Sequence, residues 1–95
     1  MAGAVTDNRA QDRFEMDAGG SQPAIIAYER EGDRIVLTHT TVPEELSGQG
    51  VGSRLVSGAL AMIRAEGLRI VPRCSFVAAY IDRHREEQDL LATPP

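Results

Sequence analysis

The strongest constraint on the fold is a β-rich run that leads through a glycine loop into an amphipathic helix. Residues 34–42 are dense in β-branched side chains, and Pro43, which cannot donate to a sheet ladder, ends the predicted strand. After the loop at residues 47–52, apolar residues recur at helical spacing. The positions of this stripe are Gly52, Leu55, Val56, Ala59, Leu60 and Ile63. The order therefore predicts a strand, a glycine loop and a helix with one buried face.

Shorter segments complete a predicted α+β domain with the order β-β-β-α-β-α. Alternation around Phe14 and the apolar run 24–28 predict two strands, which form an antiparallel meander with strand 34–42. Gly67 is the predicted helix stop, and residues 68–72 predict a fourth strand that lies parallel to strand 34–42 after a right-handed crossover. A second helix is predicted, with one face formed by Phe76, Val77, Tyr80, Ile81 and His84.

The predicted boundaries give one folded unit. We expect a flexible amino terminus at residues 1–12, a domain at residues 13–91 and a tail at residues 92–95. A chain of 95 residues is long enough for a single hydrophobic core.

Composition argues against several function classes. The net charge is −4, so no clustered basic face that would suit a nucleic-acid partner is expected. No apolar run approaches the roughly 20 residues of a membrane helix, which argues against a membrane partner. A single cysteine, Cys74, allows no internal disulfide and favours a cytoplasmic location. No short ligand spacing for a metal is present, so no metal is expected.

The glycine loop suits an anion. Glycines at 48, 50 and 52 can turn backbone N–H groups toward one point, and the first turn of the following helix adds unpaired donors. Arg54 could add a charge-assisted contact. Glu44 and Glu45 would repel phosphate and are expected to be solvated. The loop is neither a P-loop nor a dinucleotide fingerprint, and a flexible connection without a ligand is the alternative interpretation.

Four segments together resemble the GNAT superfamily of N-acetyltransferases, in particular its short YjdJ-type branch. They are residues 39–43, 48–52, 71–77 and 80–84, and the similarity extends from about Arg13 to Leu91. Gly50 and Gly52 match the two small positions of the coenzyme A motif Arg/Gln-x-x-Gly-x-Gly/Ala. Ser47 stands at its first position, and Arg85 stands where proline is usual after the histidine.

This resemblance implies a minimal GNAT-like fold whose central parallel strand pair is splayed to admit coenzyme A. Backbone groups around Val42 would hold the pantetheine arm, and the N–H groups of residues 50–53 would hold the pyrophosphate. The implied contacts to the cosubstrate acetyl-coenzyme A are Val42, Gln49, Gly50, Val51, Gly52, Ser53, Arg54 and His84.

Three side chains are candidates for catalysis under the same resemblance. Cys74 could accept the acetyl group, or it could simply be a small apolar wall. His39 could deprotonate the incoming amine, or it could be a sheet histidine bonded to a neighbour. Tyr80 could protonate the departing thiolate, or it could belong to the core.

The implied function is acetyl transfer from acetyl-coenzyme A to an amine whose identity the sequence does not give. We expect direct attack by the neutral amine, and a covalent route through Cys74 is the variant. The rival hypothesis is a non-catalytic module that binds coenzyme A as a sensor or partner-regulated protein. It is motivated by the lack of predicted strands after the second helix.

Overall fold

The computed structural model of the protein describes residues 4–93, so the extreme ends of the predicted flexible terminus and tail lie outside the described residues. The strands are β1 (Thr6–Asn8), β2 (Arg13–Met16), β3 (Ala24–Glu31), β4 (Arg34–Thr41) and β5 (Arg69–Pro72), and the helices are α1 (Val51–Ala65) and α2 (Ser75–Arg83). Short 3₁₀ segments cover Arg9–Gln11, Glu44–Leu46 and Arg85–Leu90. The predicted α+β class is confirmed.

The five strands form one sheet in which the spatial order follows the chain order. The first four strands pair antiparallel, and β4 pairs with β5 in parallel, with Ile35 opposite Ile70. A two-residue turn joins β3 to β4, and Gly32 adopts the positive φ of 65° that this turn needs. The predicted meander and the predicted parallel pair are therefore confirmed.

The structure adds a strand that the sequence analysis did not predict. β1 pairs antiparallel with β2 inside the segment expected to be flexible, so the element order is β-β-β-β-α-β-α. The Tyr28 hydroxyl donates to the Asp7 carboxylate at 2.5 Å and anchors this strand to β3. Burial, together with that hydrogen bond, raises the pKa of Tyr28 well above its usual value. The three residues of β1 are all polar, so this strand has no alternation of apolar and polar side chains by which the sequence could have indicated it.

The position of β5 corrects a second expectation. Within residues 4–93 this strand lies at the edge of the sheet, so the parallel pair is not central. Its outer side carries only one isolated parallel bridge, between Ile70 and Leu91, where the Ala92 N–H donates to the Ile70 carbonyl at 2.8 Å.

Helix α1 has the predicted buried stripe and the predicted end. Gly67 has a φ of 72° and donates its N–H to the Arg64 carbonyl at 3.1 Å, while the Leu68 N–H reaches the Ile63 carbonyl at 3.3 Å. These two bonds form a Schellman cap, which satisfies carbonyls that the helix leaves unpaired. The buried side consists of Val51, Gly52, Leu55, Val56, Ala59, Leu60 and Ile63.

Helix α2 has a narrower buried face than predicted. Val77, Tyr80 and Ile81 join the same apolar core as the α1 stripe and the strands. Phe76, predicted to lie on the same face as these residues, is 40% exposed, and His84 lies half-buried at the helix end. Phe76 is exposed because it stands in the first turn of α2, where its ring lies against Gly52 rather than within the core.

The segment before β1 crosses α1 at Gly58, and this contact leads to a stability prediction. A Cβ at Gly58 would lie 2.3 Å from Val5 Cγ2 and 2.9 Å from Val5 Cβ. We expect Gly58→Ala to lower the free energy of unfolding by about 1–3 kcal/mol, because the clash outweighs a gain in helix propensity of about 1 kcal/mol. Urea unfolding measures the change.

The variant Val5→Gly removes the whole clashing side chain, including the Cβ at 2.9 Å, and serves as the matched background. In that background Gly58→Ala should be neutral or stabilising. A loss that persists in the double variant would contradict the assigned contact.

Candidate functional site

A cleft of about 490 Å³ opens between the end of β4 and the start of α1, a volume within the range of small-molecule sites. One wall is the predicted loop, which contributes Ser47, Gly48, Gly50, Val51, Gly52 and Ser53. The other lining residues are Val42, Glu44, Leu46 and Phe76. The cleft therefore joins exposed loop backbone to a largely apolar wall.

The loop backbone has the conformation expected of an anion cradle. Gly48 and Gly50 adopt positive φ values of 81° and 73°, and a Cβ added at either would meet nothing within 4 Å. Gly50 is the N-cap of α1, and no side chain caps the helix. The first helical bond runs from the Arg54 N–H to the Gly50 carbonyl at 3.1 Å, so the three N–H groups before it have no partner within the helix. These donors and the positive end of the helix dipole favour an anionic ligand.

The β2–β3 turn supports the loop from outside the cleft. Ser21 donates both its backbone N–H, at 2.9 Å, and its hydroxyl, at 2.7 Å, to the Glu45 carboxylate. These bonds lower the pKa of Glu45. A Cβ at Gly20 would lie 2.9 Å from Leu46 Cδ1, so the turn also packs closely on the 3₁₀ segment. Sequence reasoning missed this support because its partners are 24 residues apart.

A bulge marks the point where the parallel pair stops. The β3–β4 register passes from Tyr28 opposite Leu37 to Ala27 opposite His39, so Thr38 is the extra residue. Pairing with β5 ends at Leu37 and Pro72, and the Cys74 N–H then donates to the Leu37 carbonyl at 2.8 Å. Among the described strands, the second half of β4 is therefore paired with β3 alone, as a splayed pair requires.

The three catalytic candidates lie outside the lining of the cleft. Cys74 is buried at the N-cap of α2, and its Sγ lies 3.2 Å from Thr40 Oγ1 on β4. His39 is exposed, with Nδ1 3.3 Å from Thr38 Oγ1. Tyr80 is buried and stacks on the His84 ring, with the centroids 3.9 Å apart. The structure thus brings Cys74 to β4 and pairs Tyr80 with His84.

The predicted cosubstrate contacts divide into two groups. Those that line the cleft are Val42, Gly50, Val51, Gly52 and Ser53, and those that do not are Gln49, Arg54 and His84. Sequence reasoning did not place Leu46 or Phe76 at the site, and it set Glu44 aside. An apolar residue within a polar loop was the available signal for Leu46. Phe76 reaches the cleft only through the docking of α2.

Neither a metal-binding group nor a membrane-spanning helix is found among the described residues. No group of three or more histidine, cysteine, aspartate or glutamate side chains between residues 4 and 93 could hold a metal ion. No helix in that part of the chain is long and apolar enough to cross a bilayer.

The fold and the cleft define a class of protein. It is an α+β domain in which α1 begins at a glycine without a side-chain cap, and in which β5 pairs with only the first half of β4. The chain belongs to the family of GCN5-related N-acetyl-transferases, whose pattern matches residues 13–90. This assignment confirms the resemblance at the level of the family. The YjdJ-type branch within it stays a prediction.

Individual relatives agree with the family assignment. Protein NATD1 of Mus musculus is 30% identical over 93 residues, which cover 96% of this chain and 84% of that protein. Protein NATD1 of Gallus gallus is 32% identical over 79 residues, covering 81% and 72% of the two chains. The solution structure of a GCN5-like protein from Staphylococcus aureus aligns with a TM-score of 0.72 at 27% identity, covering 96% of this chain and 89% of that one.

Proposed function

We propose that the protein is an N-acetyltransferase that moves an acetyl group from acetyl-coenzyme A to an amine. The observation that carries the proposal is the start of α1, which has no side-chain cap and forms one wall of the cleft next to the end of β4. Free N–H donors there suit a pyrophosphate, and the open space at Gly48 and Gly50 leaves the backbone accessible to it. The cosubstrate would supply the activated acetyl thioester.

The lining residues divide the work of binding. The N–H groups of Val51, Gly52 and Ser53 would hold the pyrophosphate, and backbone groups around Val42 would hold the pantetheine arm. Glu44 also lines the cleft, and its negative charge would oppose a nearby phosphate and attract a cationic amine. Any contact to the cosubstrate from Gln49, Arg54 or His84 would come from outside this lining.

Direct attack is the favoured chemistry. The neutral amine forms the new C–N bond, the thioester C–S bond breaks, and the amine proton passes to a base or to water. His39, exposed on β4, is the candidate base, and Tyr80 is the candidate acid for the thiolate. The contact between Cys74 and Thr40 favours a structural role for the thiol.

The test combines calorimetric binding of acetyl-coenzyme A with thiol release in the presence of an amine panel. The panel contains a polyamine, a lysine peptide and a peptide with a free amino terminus. Binding in the micromolar range, with thiol release stimulated by one amine class, is expected. A protein that binds no acetyl-coenzyme A would contradict the proposal.

A non-catalytic coenzyme A module is the second candidate, and one observation favours it. None of the three catalytic candidates lines the cleft. Such a module would bind acetyl-coenzyme A and leave it intact with every amine, so the same assay separates the two functions.

Cys74→Ser tests the route of transfer. Serine keeps a hydroxyl near Thr40, and direct attack does not need the thiol, so we expect turnover within about threefold of the wild type. Thiol release under saturating cosubstrate measures it. A loss of about a hundredfold or more with binding retained would instead indicate an acetyl-cysteine intermediate.

A further inference from the structure

Phe76 is the one large hydrophobic residue that is exposed within the described part of the chain, at 40%. Single exposed apolar residues are common and need no function. The position of this one is informative, because its ring forms part of the cleft lining.

The ring is seated against the backbone of α1. A Cβ at Gly52 would lie 2.7 Å from Phe76 Cζ and 3.2 Å from Cε1, so this site in the first turn of α1 has room for the ring only without a side chain. Phe76 follows Ser75 at the start of α2, and the buried Val77 and Ile81 fix that helix in the core. The Phe76 ring is thus positioned by its contact with α1 and by the packing of α2 in the core.

The cleft presents two kinds of surface. The N–H donors at the start of α1 suit phosphate oxygens, whereas Val42, Leu46, Val51 and Phe76 form an apolar lining. An inorganic pyrophosphate would satisfy only the donors, and a nucleotide would add only its base. A pyrophosphate that carries an extended, largely apolar arm would use both surfaces.

We propose that Phe76 contacts the pantetheine arm and makes the cleft selective for coenzyme A over its nucleotide part. This inference rests on the proposed function, since it assigns a role within the same site. The ring contributes apolar contact area at the arm, whereas the donors of α1 are backbone N–H groups, which a change of the Phe76 side chain does not remove.

The experiment compares two probes by calorimetry: coenzyme A, and 3′-phospho-ADP, which lacks the pantetheine arm. Phe76→Ala should weaken coenzyme A binding by about tenfold or more and change the affinity for 3′-phospho-ADP by less than about twofold. Phe76→Leu, which keeps an apolar side chain, should lose about threefold for coenzyme A alone. The leucine variant also allows the coenzyme A affinity to be measured if the alanine variant is poorly folded.

Coupling to Gly52 gives an independent readout. Gly52→Ala should displace the ring and weaken coenzyme A binding, and it should have a much smaller effect in the Phe76→Ala background. Full additivity of the two changes would contradict this arrangement.

The remaining outcomes distinguish a failure of the Phe76 assignment from a failure of the proposed function. Equal weakening of both probes in a folded variant would overturn the assignment to the arm, and unchanged coenzyme A affinity would overturn the contact itself. A wild-type protein that binds neither probe would overturn the proposed function, and the inference with it.

Discussion

Gly50→Val is expected to weaken coenzyme A binding by more than tenfold in a protein that remains folded. Gly50 has a φ of 73°, which a β-branched residue adopts only with strain. A Cβ there meets no protein atom within 4 Å, so the core is not disturbed. The new side chain would instead occupy open space beside the N–H donors. Calorimetry gives the affinity, and urea unfolding checks the fold.

Gly32→Val is the matched control. Gly32 also has a positive φ, of 65°, and its added Cβ also meets nothing within 4 Å, but it lies in the β3–β4 turn rather than in the cleft lining. Its backbone strain should therefore lower stability without lowering affinity. Equal affinities for the two variants would remove Gly50 from the site.

The largest stability effect is expected from Phe14→Ala, at about 3–5 kcal/mol in the free energy of unfolding. Phe14 is fully buried on β2, and its ring centroid lies 5.1 Å from that of Tyr28. Truncation removes apolar contact and leaves a cavity between the sheet and the helices. For a small domain this is a large share of the total stability, and chemical denaturation with a fixed m-value measures it.

Phe76→Ala is the control within the same residue type, because the chain contains only two phenylalanines. Phe76 is 40% exposed, so its truncation should cost less than about 1 kcal/mol of stability. The pair thus contrasts a phenylalanine that holds the fold with one assigned to a ligand. Similar losses of stability for both variants would contradict the burial described for them.

Local signals explain how much of the fold was predictable. The α1 stripe and the cap at Gly67 follow from helical spacing and a single glycine, both of which are local. β1 was missed because it is polar and is held by Tyr28, a residue 21 positions from Asp7. The edge position of β5 depends on how the whole sheet is ordered, which no local pattern encodes.

The site was predictable to a similar degree. The glycine loop could be predicted because the positive φ values that it needs are favoured by glycines close together in the sequence. Glu45 and Ser21 are brought together by tertiary structure, as are Phe76 and Gly52, so sequence spacing could not reveal either contact. The roles of Cys74, His39 and Tyr80 stay predictions, because they depend on how the acetyl group and the amine are placed.

The order of the sheet has a consequence for the timing of folding. Because β1 to β4 are neighbours in both chain and space, their pairing closes only short loops and should be fast. β5 can join only after α1 has crossed back over the sheet, which is the slower, longer-range event. The cleft takes one wall from the loop before α1 and another from α2 beyond β5. During synthesis, ligand-binding competence should therefore arise last, well after the meander has formed.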